Sequence, residues 1–310
     1  MEWKYIQQIV NGISLGTIYG LIAIGYTMVY GIIGMINFAH GEIYMISAYL
    51  TAIVIAVLTS FIQLPVALVI VITLFCTIPI TALHGYVLEK IAYKPLRQSQ
   101  QLAPLITAIG MSLILQNYVQ ISQGARNQGV PSFNVGHYIL WTSVDAAGVT
   151  NQAQISFNQI LIMVAATLGV LVLAYVIHYT SLGRQCRSTQ QDRLMSSMLG
   201  INTDRVISFV FVIGAGMAGL GGVLVTLNYG TFDFFIGFVT GIKAFTAAVL
   251  GGIGSITGAM IGGLVLGMAE SFFAGFVNAD YKDVFAFALL ILFMVFKPTG
   301  ILGRSEVEKV

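Results

Sequence analysis

Asn37, His40 and Glu42 stand close together in the stretch Gly31-Ile-Ile-Gly-Met-Ile-Asn-Phe-Ala-His-Gly-Glu-Ile-Tyr44, between two long apolar runs. An imidazole two residues before a carboxylate is one arrangement from which a proton relay can be built, because ionisable groups inside membrane helices mark ion and substrate pathways. At i,i+2 on a helix, however, the two side chains point to different sides. The competing reading is that they fix and wet the ends of interrupted helices. The three glycines in the stretch leave two structural options. It is either a short turn joining two ordinary spans or a buried break, since irregular backbone at membrane depth requires cover from protein or water.

A second glycine-marked interruption, Gly251-Gly-Ile-Gly-Ser-Ile-Thr-Gly258, falls in the other half of the chain. Paired broken segments in corresponding positions point to a transport pathway at a repeat interface. Coincidence in a glycine-rich chain is the alternative. On the pathway reading, Asn37, His40, Gly41, Glu42, Gly252, Gly254 and Ser255 are the candidate path residues. Other chemistry is missing from the sequence. It contains no GxxxxGK[ST] phosphate loop, HExxH, CxxC or GxSxG, and the histidines at 40, 84, 137 and 178 lie too far apart to form a metal set. The expectation is a non-enzyme without metal, cofactor or nucleic-acid partner.

The elements that must hold these residues are membrane helices. Hydrophobic residues make up 57% of the 310 positions and charged residues 8%, against about 25% charged in soluble domains. Apolar runs long enough to cross the bilayer recur throughout. The expected fold is an all-α integral membrane protein, a polytopic bundle of about 8–9 spans with broken or re-entrant helices and two related halves, forming one transmembrane domain over residues 1–310. The spans are expected near 8–32, 43–58, 66–88, 102–121, 160–179, 206–227, 241–250, 259–276 and 284–296, with a turn at Gln63-Leu-Pro65. The N-terminus lacks a signal-peptide pattern, so the first span is expected to be retained. Cys76 and Cys186 are not expected to pair.

Gly12, Gly16 and Gly20 recur every fourth residue in the first span, and Gly254, Gly258 and Gly262 repeat that spacing. Such ladders allow close helix approach in a membrane. Ten of the 14 Lys and Arg residues lie in the intervals 89–101, 181–205 and 297–310, while 122–158 and 278–283 hold one each. Positive charge stays on the cytoplasmic side, so the first three intervals and the C-terminus are expected inside and the other two outside. Lys243 and Glu270, both in the embedded last third, either pair across the bundle or each snorkel to an interface, and Lys243, which follows an outside loop, is expected to snorkel. Glu270, with no break nearby, is expected to meet a partner subunit's helix. In the interval 181–205, Gly183 is expected to end the fifth span. Asp192 to Gly200 reads as a short amphipathic helix with apolar residues at 194, 195, 198 and 199, and Asn202 as a cap for the next span. Such a helix is suited to docking on another protein; a basic loop serving only as a topology signal is the alternative.

Tyr26-Thr-Met-Val-Tyr-Gly-Ile-Ile-Gly-Met-Ile-Asn-Phe-Ala-His-Gly-Glu42 resembles the signature of the LivH family, permease subunits of bacterial ABC importers for branched-chain amino acids. The resemblance extends to Leu199–Val206, Lys243–Ser255 and Lys297–Arg304, and is weakest over 122–158. It implies a multi-pass protein of the bacterial inner membrane that forms a pore with a second, LivM-like permease. Two cytoplasmic ATPase subunits would drive it, and a periplasmic substrate-binding protein would deliver leucine, isoleucine or valine. It also implies that the 181–205 segment docks on the ATPase, making Gly183, Arg184, Arg187, Asp192, Gly200 and Asn202 the coupling candidates. The sequence departs from the general importer motif of EAA, three residues and glycine, placing Leu194, Met195 and Ser196 where EAA would stand. Related permeases for urea or short amides, and a stand-alone secondary transporter or channel, are the rival functions.

Overall fold

The structure is a computed structural model that describes residues 2–61, 64–97, 99, 102–131, 133, 136–144 and 150–303. Gln63 of the expected turn and the charged tail with Arg304 and Lys309 lie outside the described residues. Among the described residues, seven helices are long and apolar enough to cross a membrane: α1 (Glu2–Ile33), α2 (His40–Phe61), α3 (Val66–Leu88), α4 (Leu102–Gln123), α5 (Phe157–Tyr179), α8 (Thr203–Tyr229) and α10 (Ile256–Phe276). The shorter α9 (Ile236–Gly251) and α11 (Lys282–Phe296) pack into the same bundle, and α6 (Ser181–Gln191) and α7 (Arg193–Met198) fill the interval between α5 and α8.

The bundle is built around α1 and α8, whose central residues are buried on every side. Helices α3, α4 and α5 form its periphery and expose Phe75, Ile106, Ile114, Leu171 and Val172. An outward face of large apolar side chains fits lipid or a second membrane subunit and would be unstable in water.

The closest helix pair is α1 against α10. A Cβ added at Gly12 would lie 2.8 Å from Met268 Cα, one at Gly16 2.7 Å from the Gly263 carbonyl oxygen, and one at Gly20 2.6 Å from Met260 Sδ. The answering glycines on α10 are Gly263 and Gly267, which meet the α1 backbone. Gly258 and Gly262 instead pack on α9, against Gly251 and Ala247. Gly258 and Gly262 thus allow close helix approach, as their spacing suggests, but to α9 and not to α1. Gly254 lies in the break, and the repeat facing α1 is offset to 263 and 267, because the side of α10 bearing 258 and 262 is turned toward its preceding helix.

The polar interval 122–158 also differs from a plain loop. His137–Val144 (β2) and Thr150–Ser156 (β3) pair antiparallel, and Gln128–Gly129 (β1) pairs with Thr231–Phe232 (β4). The run Tyr138-Ile-Leu-Trp-Thr142 is rich in β-forming residues. At the opposite end of the bundle, Glu89 is buried where α3 widens into a π-helical turn. It accepts from Ser208 Oγ at 2.8 Å and pairs with Arg97, which also pairs with Asp204, tying the end of α3 to the start of α8. This end also carries Lys90, Lys94, Arg184, Arg187, Arg193 and Arg205, and is called the basic end below; the other is the hairpin end.

Candidate functional site

The first interruption is a buried break, shorter than the stretch that marks it in sequence. Helix α1 continues to Ile33, the irregular backbone covers residues 34–39, and His40 already begins α2. A Cβ at Gly25 would run into the His40 imidazole. Gly25 lies eight residues before the end of α1, or about 12 Å along the axis. Residues 34–39 therefore run back into the bundle, and α2 starts at depth. Gly214, well inside α8, packs on the same place, which excludes a terminal turn.

Each polar residue of the break is tied sideways to another helix. Asn37 Oδ1 accepts from Tyr93 Oη at 2.6 Å. The His40 ring lies edge-on to Tyr26, with centroids 4.9 Å apart. Glu42 Oε1 accepts from Ser112 Oγ at 2.9 Å and Gln116 Nε2 at 2.7 Å, joining α2 to α4. Gly41 lets α2 touch α9 directly, since a Cβ there would meet the Gly237 carbonyl and lie 2.8 Å from Gly241 Cα. The side chains of Asn37 and Glu42 thus bond to other helices and not to the α2 terminus.

The second break, Gly252–Ser255, holds Gly252 and Gly254 at φ +102° and +96°, a region that disfavours side chains. Ser255 Oγ accepts from Gly258 N at 3.0 Å and caps α10. The Gly254 carbonyl accepts from Gln190 Nε2 at 3.4 Å. The C-terminal segment clasps this break, with Ile301 N donating to Leu250 O at 2.8 Å and Leu302 N to Gly251 O at 3.0 Å. The two breaks converge. Ile36 from one and Ile253 from the other line one very small cavity with Tyr26, Tyr30, Phe245 and Ala248. The Phe245 ring is 6.2 Å from that of Tyr26 and 5.8 Å from that of Phe38. An apolar, aromatic cluster therefore lies where the two irregular segments meet.

Toward the hairpin end lies a cavity of about 620 Å³ with a mixed polar and apolar wall, bounded chiefly by α1, α8, α9, α10 and the start of α11, with single residues from α2 and α5. Asn11, Tyr19, Tyr44, Tyr229, Lys243, Glu270 and Asp283 contribute to its wall. None of the seven path candidates from the sequence lines it. Lys243 is 4% exposed and Glu270 1%, and their charged groups are 2.6 Å apart. Tyr19 Oη donates to Glu270 Oε2 at 2.9 Å, and Asp283 Oδ1 lies 2.5 Å from Lys243 Nζ. Of the two readings of these residues, pairing across the bundle holds, and snorkelling of Lys243 and a partner-subunit contact for Glu270 are corrected. Each residue faces the other across α9 and α10, because a buried charge is far less costly when paired. The sequence held a signal for this pairing. Lys243 and Glu270 are the sole charged residues between 236 and 276, one on each of two consecutive apolar helices.

At the basic end, Gly183 does not end α5. Thr180 follows the last residue of that helix, and its Oγ1 accepts from Gly183 N at 3.1 Å, starting α6. Gly183 is needed because a Cβ there would strike the carbonyls of Val176 and Ile177. Arg187 donates to the Ile177 carbonyl, while Arg184 is exposed. Ser188 and Ser196 hydroxyls meet at 2.8 Å, holding α7 to α6. Asp192 Oδ1 caps α7 from Met195 N at 2.9 Å, Gly200 leaves the helix at φ +85°, and Asn202 Oδ1 caps α8 from Arg205 N at 3.1 Å. Leu194, Met195, Met198 and Leu199 all remain exposed, Leu199 at 79%. Cys186 is buried behind them, and burial pushes its thiol up to about 11, with Arg187 working in the opposite direction.

Residues 8–294 match the family model described as branched-chain amino acid transport system / permease component. The chain is 50% identical to the high-affinity branched-chain amino acid transport system permease protein LivH of Salmonella typhimurium, covering 99% of this chain and 98% of that one. It is equally similar, over 99% of both chains, to the corresponding permease protein BraD of Pseudomonas aeruginosa. A LivH of Methanocaldococcus jannaschii is 25% identical over 91% of this chain. A bundle with two helix breaks and a cavity, matched from end to end by these permeases, belongs to the family of branched-chain amino acid transport system permease components.

Proposed function

We propose that this chain is the membrane-spanning permease subunit of an ATP-driven importer for leucine, isoleucine and valine. The carrying observation is the 50% identity over 99% of the chain to permeases of high-affinity branched-chain amino acid transport systems. The geometry supports it in three ways. A cavity opens toward the hairpin end, the apolar, aromatic cluster stands as a plug between it and the basic end, and an exposed apolar helix stands at that basic end. On this reading the basic end is cytoplasmic, as the placement of Lys and Arg requires, and so is the C-terminus, in an inner-membrane protein. Amino acid released by a periplasmic binding protein enters the cavity and leaves by the plug, where Asn37, His40, Gly41, Glu42, Gly252, Gly254 and Ser255 hold the two breaks that must move. A second, LivM-like permease completes the path, against the apolar periphery. Two ATPase subunits bind at α6 and α7, with Gly183, Arg187, Asp192, Gly200 and Asn202 shaping the docking helix and Arg184 exposed beside it.

The test is uptake of labelled leucine into proteoliposomes containing the assembled complex, supplied with ATP on the ATPase side and loaded binding protein on the other. Leucine uptake that needs both is expected. Urea uptake in its place, or leucine uptake by this chain alone without ATP, overturns the reading. Replacing both Leu194 and Met198 with serine should leave the permease in the membrane and strip the ATPase from it. Unchanged co-purification of the ATPase would move the docking surface elsewhere.

A further inference from the structure

Lys243 offers three donors and faces two carboxylates in unequal settings. Glu270 is enclosed and doubly held, by Lys243 at 2.6 Å and by Tyr19 at 2.9 Å. Asp283 touches Lys243 at 2.5 Å, but it sits in the first turn of α11 at the cavity wall, with 44% of its side chain exposed. Asp233 and Lys282 complete the charged lining. The trio Lys243, Glu270 and Asp283 carries one net negative charge beside a cavity in the size range of small-molecule sites. Such a wall favours a ligand that brings its own cation, and the more exposed Asp283 is the partner that can be exchanged.

Resting on the importer reading above, we propose that Lys243, Glu270 and Asp283 form a zwitterion subsite inside the permease, selective for free α-amino acids by their backbone charges. The substrate carboxylate takes the place of Asp283 on Lys243. The released Asp283 carboxylate receives the substrate ammonium. Glu270 and Tyr19 keep Lys243 in position throughout. Lys243 has two carboxylate partners before and after the exchange, and Asp283 trades one cation for another, so neither buried charge loses its counter-ion. A neutral amide or urea has no carboxylate to displace Asp283 and is refused. Selection among aliphatic side chains is left to the binding protein, since nothing in the exchange touches the side chain.

Two variants of the assembled complex test this in proteoliposomes with labelled leucine, loaded binding protein and ATP. Asp283→Asn removes a half-exposed charge without threatening the fold. It should lower leucine uptake by about tenfold, the size of one charge-assisted contact, while ATP hydrolysis stimulated by the loaded binding protein persists. Lys243→Met combined with Glu270→Gln removes a buried pair as a unit, which protein interiors tolerate. This double variant should assemble with near-normal thermal stability and lose uptake of leucine and valine alike. Wild-type uptake in either variant overturns the subsite and reduces the trio to a structural ion pair. Parallel loss of uptake and stimulated hydrolysis in Asp283→Asn also overturns it. Absence of leucine uptake in the wild-type complex, by contrast, would count against the importer reading itself.

Discussion

Two groups of buried polar side chains occupy this bundle, and they are built differently. Asn37, His40 and Glu42 lie within one short stretch, are packed against Tyr93, Tyr26, Ser112 and Gln116, and do not line the cavity at the hairpin end. Tyr19, Lys243, Glu270 and Asp283 come from four helices, are joined by charge, and face a cavity of about 620 Å³. The first group is dense in sequence because it is dense in space, with glycines and small polar residues meeting neighbouring backbones. The second is dispersed in sequence because a ligand-sized space needs walls from several directions. The pattern most visible in the sequence is thus tightly packed, and the cavity of about 620 Å³ is walled by other residues.

This contrast makes a general prediction. Variants in the break should lose stability, with uptake falling as a consequence, whereas variants in the cavity wall should lose uptake alone. The largest effect is expected at Gly41. Valine there would drive its Cβ into the Gly237 carbonyl and to within 2.8 Å of Gly241 Cα, and backbone on the far side cannot move aside as a side chain would. Overpacking typically costs about 1–3 kcal/mol, and backbone contact places this case at or above the top of that range. Loss of the permease from the membrane fraction is the expected reading. A stable Gly41→Val protein with impaired uptake would break the contrast.

Glu42 comes next. Leucine at this position would leave Ser112 and Gln116 without their shared acceptor, a cost of about 1–3 kcal/mol for buried groups left unsatisfied. Glutamine, which keeps an acceptor oxygen, should recover most of it. The check is the thermal midpoint of the purified protein. If glutamine and leucine are equally harmful while stability stays normal, the charge itself is used in transport, and Glu42 belongs with the second group.

Much of the bundle was legible because lipid imposes a simple code. Helix α3 covers Val66–Leu88, the bounds read from its apolar run, and Asn202 caps α8. The short helix α7 was visible from Asp192, Gly200 and four apolar residues between them. The cavity was not legible. Glu270 is 27 residues from Lys243 and 251 from Tyr19, and no local periodicity connects them. Pairing of Lys243 with Glu270 was one of two readings open from the sequence, and the rule that a lone lysine snorkels favoured the other, because it considers one helix at a time and Glu270 lies on the next. The strands at 137–144 and 150–156 were hidden by the polar composition around them, and the Gly263 and Gly267 seam by the more regular spacing of 254, 258 and 262.

The smallest expected effect separates the two breaks from each other. Ser255 caps α10 with one hydrogen bond, at 3.0 Å from Gly258 N, and loss of such a cap costs about 1 kcal/mol. The break is held in addition by the clasp of Ile301 and Leu302 on Leu250 and Gly251, so Ser255→Ala should lower the thermal midpoint by a few degrees at most and leave uptake near normal. The first break has no backbone clasp of this kind among the described residues and relies on side-chain ties such as Tyr93 to Asn37. Tyr93→Phe should therefore cost more than Ser255→Ala, although each removes a single hydrogen bond, because it strands a buried amide at depth. The reverse order would show that the break at 252–255, and not the one at 34–39, is the less supported of the two and the one from which the plug opens.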